Sequence, residues 1–199
     1  MKNIIFDIGN VLLSFHPYKY LNQYYDEETV CDLMTIIFSD DEWLKLDLGN
    51  ILIKDAIETL THKHPQYKKE ITFVLENWTD MLLPVQKNVE IVQELKDAGY
   101  HLYLLSNFHI EAFQLMSKKY DFFKLFDGQV VSGFEHIIKP QEEIYELLLK
   151  RYQLKREECL FIDDMLGNIY IAEELGIQGL YLGYMVDLKN ELIKLNILK

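Results

Sequence analysis

Short apolar runs alternate along the chain with longer stretches in which apolar residues recur every three or four positions. The short runs are rich in β-branched and aromatic residues, which predicts strands that are buried on both faces. They lie at residues 2–6, 101–105, 128–131, 159–162 and 179–182. The longer stretches, at 84–98, 142–152 and 168–175, predict amphipathic helices. Strands that alternate with helices in this way predict an α/β fold built on a Rossmann-like parallel sheet.

Residues 15–84 interrupt this alternation, because they contain helical patterning and no run that is typical of a buried strand. Apolar residues at helical spacing predict helices at 20–25, 29–38, 53–60 and 71–81. The sequence therefore predicts an all-helical cap over residues 15–84. This cap is inserted into an α/β core domain that comprises residues 1–14 and 85–199.

The composition narrows the class of protein. A chain of 199 residues that is 49% hydrophobic has enough apolar surface for one well-packed core and a modest insertion. Its formal net charge of -12 repels nucleic-acid phosphates and anionic membranes, so we expect neither as a partner. The two cysteines have no metal-binding spacing, and no apolar stretch approaches the ~20 residues of a membrane span. We therefore expect a cytoplasmic protein.

Polar residues follow several of the predicted strands, at the edge where open α/β sheets bind their ligands. Asp7 follows the first strand, Ser106-Asn107 the second and Asp163-Asp164 the fourth, while Lys139 precedes the helix at 142–152. Each of these residues alone is equally typical of a turn, a helix cap or a solvated surface. Together they place three carboxylates, a hydroxyl, an amide and a lysine at one edge of the sheet.

Three carboxylates at one edge repel one another unless a positive charge lies between them. A divalent cation meets this need, and oxygen ligands without histidine or cysteine favour Mg²⁺, which also binds substrate phosphate. The hydroxyl, the amide and the lysine supply donors for the other oxygens of a phosphate. A carboxylate held beside such a phosphate can attack it, and water can then hydrolyse the aspartyl-phosphate.

Four short motifs occur in order along the chain. They are Phe-Asp-Ile-Gly-Asn-Val at residues 6–11, Leu-Leu-Ser-Asn at 104–107, Lys-Pro at 139–140 and Phe-Ile-Asp-Asp at 161–164. In these motifs the chain resembles the haloacid dehalogenase-like (HAD) hydrolase superfamily, and the resemblance extends to a helical cap after the first motif. The first motif, with Glu42-Trp43 and Asp47-x-Gly49 in the cap, is most similar to the bacterial sugar-phosphatase branch that is like α-D-glucose-1-phosphate phosphatase.

The resemblance implies the metal ligands. Asp7 is the expected nucleophile and also a Mg²⁺ ligand, and Gly9 is expected to contribute its backbone carbonyl to the metal. Asp164 is the expected direct acidic ligand, and Asp163 is expected to bind the metal directly or through water.

The resemblance also implies how the phosphoryl group is held. Ser106 and Asn107 are expected to bind it, and Lys139 is expected to offset the charge of both that group and Asp7. The expected catalytic residues are thus Asp7, Ser106 and Lys139. Trp43 in the cap is a candidate to line the substrate pocket or, equally, to fill the cap's own core.

The first motif departs from the usual phosphatase pattern at Gly9. Phosphatases of this superfamily usually carry there a second Asp, which protonates the leaving oxygen. Such general acid–base help typically contributes about 10²–10⁴-fold to the rate. A cap residue (Asp47, Glu42 or His16) or a water is expected to replace it, or else the enzyme favours good leaving groups or is a weak phosphatase.

The leading hypothesis is a Mg²⁺-dependent phosphatase that acts on a small phosphorylated metabolite such as a sugar phosphate. The alternatives are a metal-free 2-haloacid dehalogenase and a weakly active or non-catalytic binding protein on the same scaffold. The dehalogenase ranks lower, because two extra carboxylates, Asp163 and Asp164, would hinder attack on an anionic haloacid. A phosphoacceptor receiver domain ranks lowest, since its acidic pair comes early in the chain and it has no cap.

Overall fold

The computed structural model describes all residues from Met1 to Lys199 and contains a single five-stranded sheet. Its strands are β1 (Asn3–Phe6), β2 (His101–Ser106), β3 (Gly128–Val131), β4 (Cys159–Asp163) and β5 (Gln178–Tyr181). Their spatial order is β3-β2-β1-β4-β5, and every neighbouring pair is parallel. The predicted α/β fold with a parallel sheet is therefore confirmed.

The segment that follows β1 is helical and adds no strand to the sheet. Its helices are α1 (Pro17–Leu21), α2 (Glu27–Leu33), α3 (Asp41–Asp47), α4 (Ile53–Lys63) and α5 (Lys68–Asn77). A π-helical turn continues α2, and a 3₁₀ turn continues α5. The predicted helical character of this segment is confirmed.

Two details of the helical segment differ from the prediction. The helix expected at 20–25 begins earlier, because Pro17 is pre-organised for a first helical turn, and α1 ends at Leu21. The pattern also misses α3, whose first turn carries Asp41 and Glu42 and whose N-terminus is capped by the Asp40 carboxylate. Such a run of acidic residues is as typical of a loop as of a short helix start.

Six further helices cover the two faces of the sheet. They are α6 (Gln86–Asp97), α7 (Ile110–Lys119), α8 (Ser132–Glu135), α9 (Glu142–Tyr152), α10 (Leu166–Glu174) and α11 (Leu188–Lys194). Ile4 and Phe6 pack in one apolar cluster with residues of α6, α7 and α11, whereas Ile5 packs with residues of α9 and α10. Because β1 is covered on both faces, its apolar residues follow one another without alternation. No helix of the protein is both long and apolar enough to cross a membrane.

The helical segment joins the rest of the chain through two stretches that run side by side. The Ser14 N–H donates to the Leu83 carbonyl and the Val85 N–H to the Leu12 carbonyl, each at 2.8 Å. We propose on this ground that residues 15–84 are the cap and that residues 1–14 and 85–199 are the core domain. The cap is not isolated, since its apolar residues belong to the same cluster as Ile4 and Phe6.

The sheet order determines where a ligand can bind. β1 lies at the centre, with β2 and β3 on one side and β4 and β5 on the other, so the direction of strand addition reverses there. Open α/β sheets bind ligands in the crevice beyond the carboxyl ends of the strands at such a point. The register pairs Phe6 with Ile162, so the residues that follow, Asp7 and Asp163, are neighbours in that crevice.

Candidate active site

Three carboxylates meet at the carboxyl ends of β1 and β4. Asp7 comes directly after β1, Asp163 is the last residue of β4 and Asp164 follows it. Carboxylate oxygens of all three lie within 4.8 Å of one another. Asp7 and Asp163 are buried, whereas Asp164 is half-buried. The structure thus brings together the acidic residues that the sequence predicts as metal ligands.

Lys139 places its ammonium group between two of these carboxylates. Its Nζ donates to Asp7 Oδ1 at 2.8 Å, to Asp163 Oδ2 at 2.6 Å and to the Leu105 carbonyl at 2.9 Å. Burial acts to lower the pKa of Lys139, but attraction to the two carboxylates outweighs it and raises the pKa above its ordinary value. The lysine is therefore charged, with all three of its protons donated.

One lysine does not neutralise three carboxylates. Burial raises the pKa of Asp7 to about 6, with Lys139 opposing that rise and Asp163 adding to it. Burial also raises the pKa of Asp164. The donor set contains oxygen only, which fits a hard divalent cation such as Mg²⁺, and such a cation would favour the ionised form of both residues.

The hydrogen bonds distinguish the two adjacent acids. Asp163 accepts from Lys139 Nζ, from the Met165 N–H at 2.7 Å and from Asn168 Nδ2 at 3.0 Å, so both of its oxygens are engaged. Asp164 has one side-chain partner, Asn10, whose Nδ2 donates to Oδ2 at 3.0 Å. Asp164 therefore has an oxygen free for a metal, whereas both oxygens of Asp163 are already engaged.

Asn10 is a site residue that the sequence argument overlooks. Besides holding Asp164, its Oδ1 accepts from the Phe15 N–H at 2.9 Å, which fixes the loop after β1. Its φ of 52° lies in the left-handed region, which asparagine tolerates better than most residues. The signal for this role in the sequence is an asparagine directly after the glycine of the first motif.

Gly9 lies in the same loop, next to Asp7. A Cβ added at Gly9 would be 3.8 Å from Asp7 Oδ2, which is an ordinary van der Waals distance. The backbone therefore has room for a Cβ at this position. The acidic side chain is absent because the residue is glycine, and not because a neighbouring atom excludes a Cβ. The role of its carbonyl as a metal ligand stays a prediction.

Ser106 and Asn107 follow β2 but differ in what their side chains do. The Ser106 hydroxyl is buried close to Asp7, where it acts to lower the pKa of that carboxyl group, and no protein group meets it at full hydrogen-bond geometry, so it can donate to a ligand. Asn107 exchanges two hydrogen bonds with the Lys139 backbone, through Oδ1 at 2.8 Å and Nδ2 at 2.9 Å. Its side chain thus anchors Lys139, while one N–H of its amide is not used in these bonds, and its contact with a phosphoryl group stays a prediction.

Trp43 lies in an aromatic cluster where the cap meets the core. Its ring is 4.7 Å from that of Phe38, 5.0 Å from Trp78 and 4.4 Å from His109, measured between centroids. Packing accounts for this position, and contact of Trp43 with a substrate stays a prediction. His109, at the start of α7, is a second residue that the sequence argument overlooks, since a lone histidine after a strand gives no specific signal.

The three candidate replacements for the missing acid lie in different surroundings. Glu42 is buried and ion-paired with Lys45 and Lys63. His16 is exposed and, with Asn10 and Asp164, borders a cavity of about 280 Å³. Asp47 Oδ1 lies 3.3 Å from His109 Nε2.

The family assignment rests on most of the chain. The model of the haloacid dehalogenase-like hydrolase family matches residues 1–176. The chain belongs to this family. It is therefore a hydrolase of the HAD type, as the four motifs predict.

Known proteins agree with this assignment. The chain is 30% identical over 91% of its length to the sesquiterpene phosphatase astK of Aspergillus oryzae, of which it covers 89%. It is 24% identical over 91% of its length to a phosphorylated carbohydrates phosphatase of Thermotoga maritima, of which it covers 84%. A wild-type HAD-family enzyme of Bacteroides thetaiotaomicron, solved in complex with magnesium and inorganic phosphate, superposes with a TM-score of 0.73 at 21% identity, over 96% of this chain and 98% of the other.

Proposed function

We propose that this HAD hydrolase is a Mg²⁺-dependent phosphatase of a small phosphorylated metabolite, with a sugar phosphate as the first candidate. The observation that carries the proposal is the cluster of Asp7, Asp163 and Asp164, whose carboxylate oxygens lie within 4.8 Å of one another around Lys139. A related fold binds magnesium and inorganic phosphate together, which supports the same pairing here.

Asp7 is the proposed nucleophile. Its Oδ1 is held by Lys139, and the carboxylate is buried at the end of a central strand, so it needs no reorganisation before attack. Asp7, Asp164 and the Gly9 carbonyl would hold Mg²⁺ directly and Asp163 would hold it through water. When bound, Mg²⁺ supplies charge neutralisation that lets an anionic phosphate approach an acidic site.

The other residues bind and orient the phosphoryl group. The unpartnered Ser106 hydroxyl donates to one of its oxygens, and the Lys139 ammonium offsets the charge that builds up between Asp7 and the phosphorus. Asp7 displaces the leaving oxygen to form an aspartyl-phosphate, which water then hydrolyses to inorganic phosphate and free Asp7.

The dehalogenase alternative is less compatible with this site. It needs only a nucleophilic carboxylate, and a site that attacks an anionic haloacid without a metal gains nothing from Asp163 and Asp164. Asp163 is buried and accepts four hydrogen bonds. Burying a charged carboxylate costs folding free energy, and the fold keeps Asp163 in spite of that cost.

A phosphate ester with an apolar leaving group is the second candidate substrate. Met165 and Leu166, which directly follow the acidic pair, are 59% and 62% exposed. Exposed apolar side chains beside a polar site favour contact with an apolar ligand. The name of the sesquiterpene phosphatase relative points in the same direction, while that of the carbohydrate phosphatase relative supports the sugar phosphate.

Phosphate release from a panel of metabolites tests the proposal. The purified chain is incubated with Mg²⁺ and sugar phosphates, prenyl phosphates or p-nitrophenyl phosphate, in parallel with Asp7→Asn. We expect Mg²⁺-dependent release by the wild type and none by the variant. Absence of release across the panel, or undiminished release by Asp7→Asn, would refute the proposal.

The setting of the enzyme is also proposed. Both cysteines are free, with Cys31 exposed and Cys159 buried, which suits a reducing cytoplasm. The net charge of -12 supports a small-molecule partner rather than a nucleic acid or an anionic membrane.

A further inference from the structure

The position that would supply the acid for the leaving oxygen is Gly9, so a proton donor has to come from elsewhere. Neither Ser106 nor Lys139 is suited to this task, since the lysine already donates all three protons and the hydroxyl is a weak acid. A donor from the cap would face the leaving group across the site from Asp7. The cap offers three candidates, namely Glu42, Asp47 and His16.

Glu42 is committed to structure. Its Oε2 accepts from Lys45 at 2.6 Å and its Oε1 from Lys63 at 3.0 Å, so each carboxylate oxygen is paired with an ammonium group. The hydrogen bond with Lys45, more than any other contact, lowers the pKa of Glu42. A carboxylate that is ionised and doubly paired has no proton to donate.

His16 is an exposed candidate on the Asp164 side of the site. It lies at the start of α1, where its side chain makes no capping hydrogen bond. It borders the cavity on the Asp164 side together with Lys87 and Tyr184, both outside the cap. His16 therefore remains a rival whose contribution the experiment below measures.

Asp47 is held where the cap meets the core. Its side chain is 19% exposed, and Asp7 acts to raise its pKa while Lys139 acts to lower it. Asp47 is the last residue of α3, and its carbonyl accepts a hydrogen bond from Ser132 Oγ at 2.5 Å. The next carbonyl, that of Leu48, lies 2.8 Å from His136 Nδ1. Both contacts fasten the end of α3 to the two ends of α8, which directly follows the carboxyl end of β3.

His109 supports Asp47 from the core side. Its ring is 2% exposed and is packed between Trp43 and Trp78, with centroid distances of 4.4 and 4.8 Å. Neither ring nitrogen makes a hydrogen bond, although Nε2 lies 3.3 Å from Asp47 Oδ1. A buried ring with two unpartnered nitrogens beside a carboxyl group is costly for stability alone, which indicates a functional use.

We propose that Asp47 is the general acid and general base of this enzyme and that His109 positions it. The inference rests on the proposed phosphatase function and assigns from the cap the role that Gly9 cannot fill. The surroundings are consistent with a proton carrier, because burial, and after it the charge of Asp7, raises the pKa of Asp47 to about 7.

The reaction has two steps, formation and hydrolysis of the aspartyl-phosphate. Asp7 attacks the phosphorus, the bond from phosphorus to the leaving oxygen breaks, and that oxygen takes the proton of the Asp47 carboxyl group as it departs. In the second step the Asp47 carboxylate takes a proton from water while the water oxygen bonds to phosphorus. The bond to Asp7 then breaks and releases inorganic phosphate, with Asp7 ionised and Asp47 protonated as at the start.

The dependence of the rate on the leaving group tests this role. A p-nitrophenolate departs without protonation, whereas phenolate and alkoxide groups need a proton. We expect Asp47→Asn to lower kcat/KM for phenyl phosphate, which reports the first step, on the order of 10²–10⁴-fold and kcat/KM for p-nitrophenyl phosphate by less than about tenfold. The kcat falls on both esters, because both pass through the same aspartyl-phosphate, whose hydrolysis needs Asp47 as the base. Asp41→Asn, the same change at an exposed position of the same helix, is expected to leave both rates unchanged.

The same comparison tests His109. We expect His109→Phe, which keeps an aromatic ring between the two tryptophans, to lower kcat/KM for phenyl phosphate more than kcat/KM for p-nitrophenyl phosphate. An equal loss on both esters would show that the ring has a packing role only.

Other outcomes would overturn the proposal. These are, in kcat/KM, an equal loss on both esters in Asp47→Asn, no loss on either, or a selective loss in His16→Gln that Asp47→Asn lacks. Should Asp47→Asn fail to fold, a series of aryl phosphates with the wild type decides, because a steep rise of kcat/KM with phenol acidity means that no donor protonates the leaving group. Failure of the wild type to release phosphate from either ester would instead refute the phosphatase function itself.

Discussion

The ammonium group of Lys139 lies 2.8 Å from Asp7 Oδ1, at the end of the central strand. The same group lies 2.6 Å from Asp163 Oδ2, so one buried cation compensates two buried carboxylates. Breaking such an arrangement leaves charges without a partner in a medium where solvation is poor. This contact therefore links the stability of the core to its chemistry.

Replacement of Lys139 is expected to affect stability and activity together. Lys139→Met leaves Asp7 and Asp163 unpaired, and loss of one partner of a buried ion pair costs roughly 3–5 kcal/mol. We expect a lower unfolding free energy in denaturant titrations, partly restored by Mg²⁺, and loss of turnover. Lys118→Met, at an exposed position of α7, serves as the control and should change neither. Equal stability of Lys139→Met and wild type would contradict the charge argument.

Asp164 is expected to determine metal affinity. A ligand that binds only the folded state at about 100 times its dissociation constant stabilises it by about 2.7 kcal/mol. Thermal unfolding with increasing Mg²⁺ should show such a rise of Tm for the wild type and not for Asp164→Asn. Asp121→Asn, at an exposed carboxylate far along the chain from the motifs, should keep the response. A full Mg²⁺ response in Asp164→Asn would exclude it as a direct ligand.

Gly49 is expected to be essential for docking the cap. Its φ is +66°, and a Cβ there would lie 1.9 Å from the carbonyl oxygen of Gly133 in α8, the helix to which the end of α3 is fastened. Gly99 has a similar φ of +88° but no atom within 4 Å of such a Cβ. We expect Gly99→Ala to cost about 1 kcal/mol through backbone strain, and Gly49→Ala to cost roughly 1–3 kcal/mol more through the clash.

Denaturant titrations of the two glycine variants measure this difference, and kinetics with phenyl phosphate measure its effect on the site. Turnover should fall in Gly49→Ala and persist in Gly99→Ala. Equal effects of the two substitutions would show that the end of α3 does not need its close approach to Gly133.

His109 is expected to make stability fall at acid pH. Burial lowers its pKa from 6.5 to about 3, so the folded state stays neutral where the unfolded state gains a proton. Its contribution to stability is thus present above pH 6.5 and is lost as the pH falls towards 3, at about 1.4 kcal/mol per pH unit. His109→Phe removes this term and should flatten the fall.

Unfolding free energies measured from about pH 7.5 down to about pH 4.5 test this expectation. His62→Phe, at an exposed histidine of α4, should follow the wild-type curve. Parallel curves for His109→Phe and the wild type would show that His109 is not a source of the acid sensitivity.

Much of the fold is readable from the sequence because its strands carry a local signal. The run Ile4-Ile5-Phe6 is apolar on both faces and ends at a charged residue, which is specific enough to locate β1 within a residue. Helix α3 is different, since its seven residues mix acidic, basic and apolar side chains without a clear period, and its last residue is held by Ser132 of α8.

The sequence by itself determined the order of the motifs, the parallel α/β core and the identity of the acidic residues at the strand ends. The apolar patterns are local along the chain. The residue that follows a strand lies at the carboxyl end of that strand wherever the strand is placed in the sheet. Tertiary structure alone decided that Asn107 anchors Lys139, that Asn10 holds Asp164 and that Asp47 rather than Glu42 lies beside His109. These are side-chain contacts between segments far apart in the chain, and their partners are set by how the cap packs on the sheet, for which no pattern along the chain is a signal.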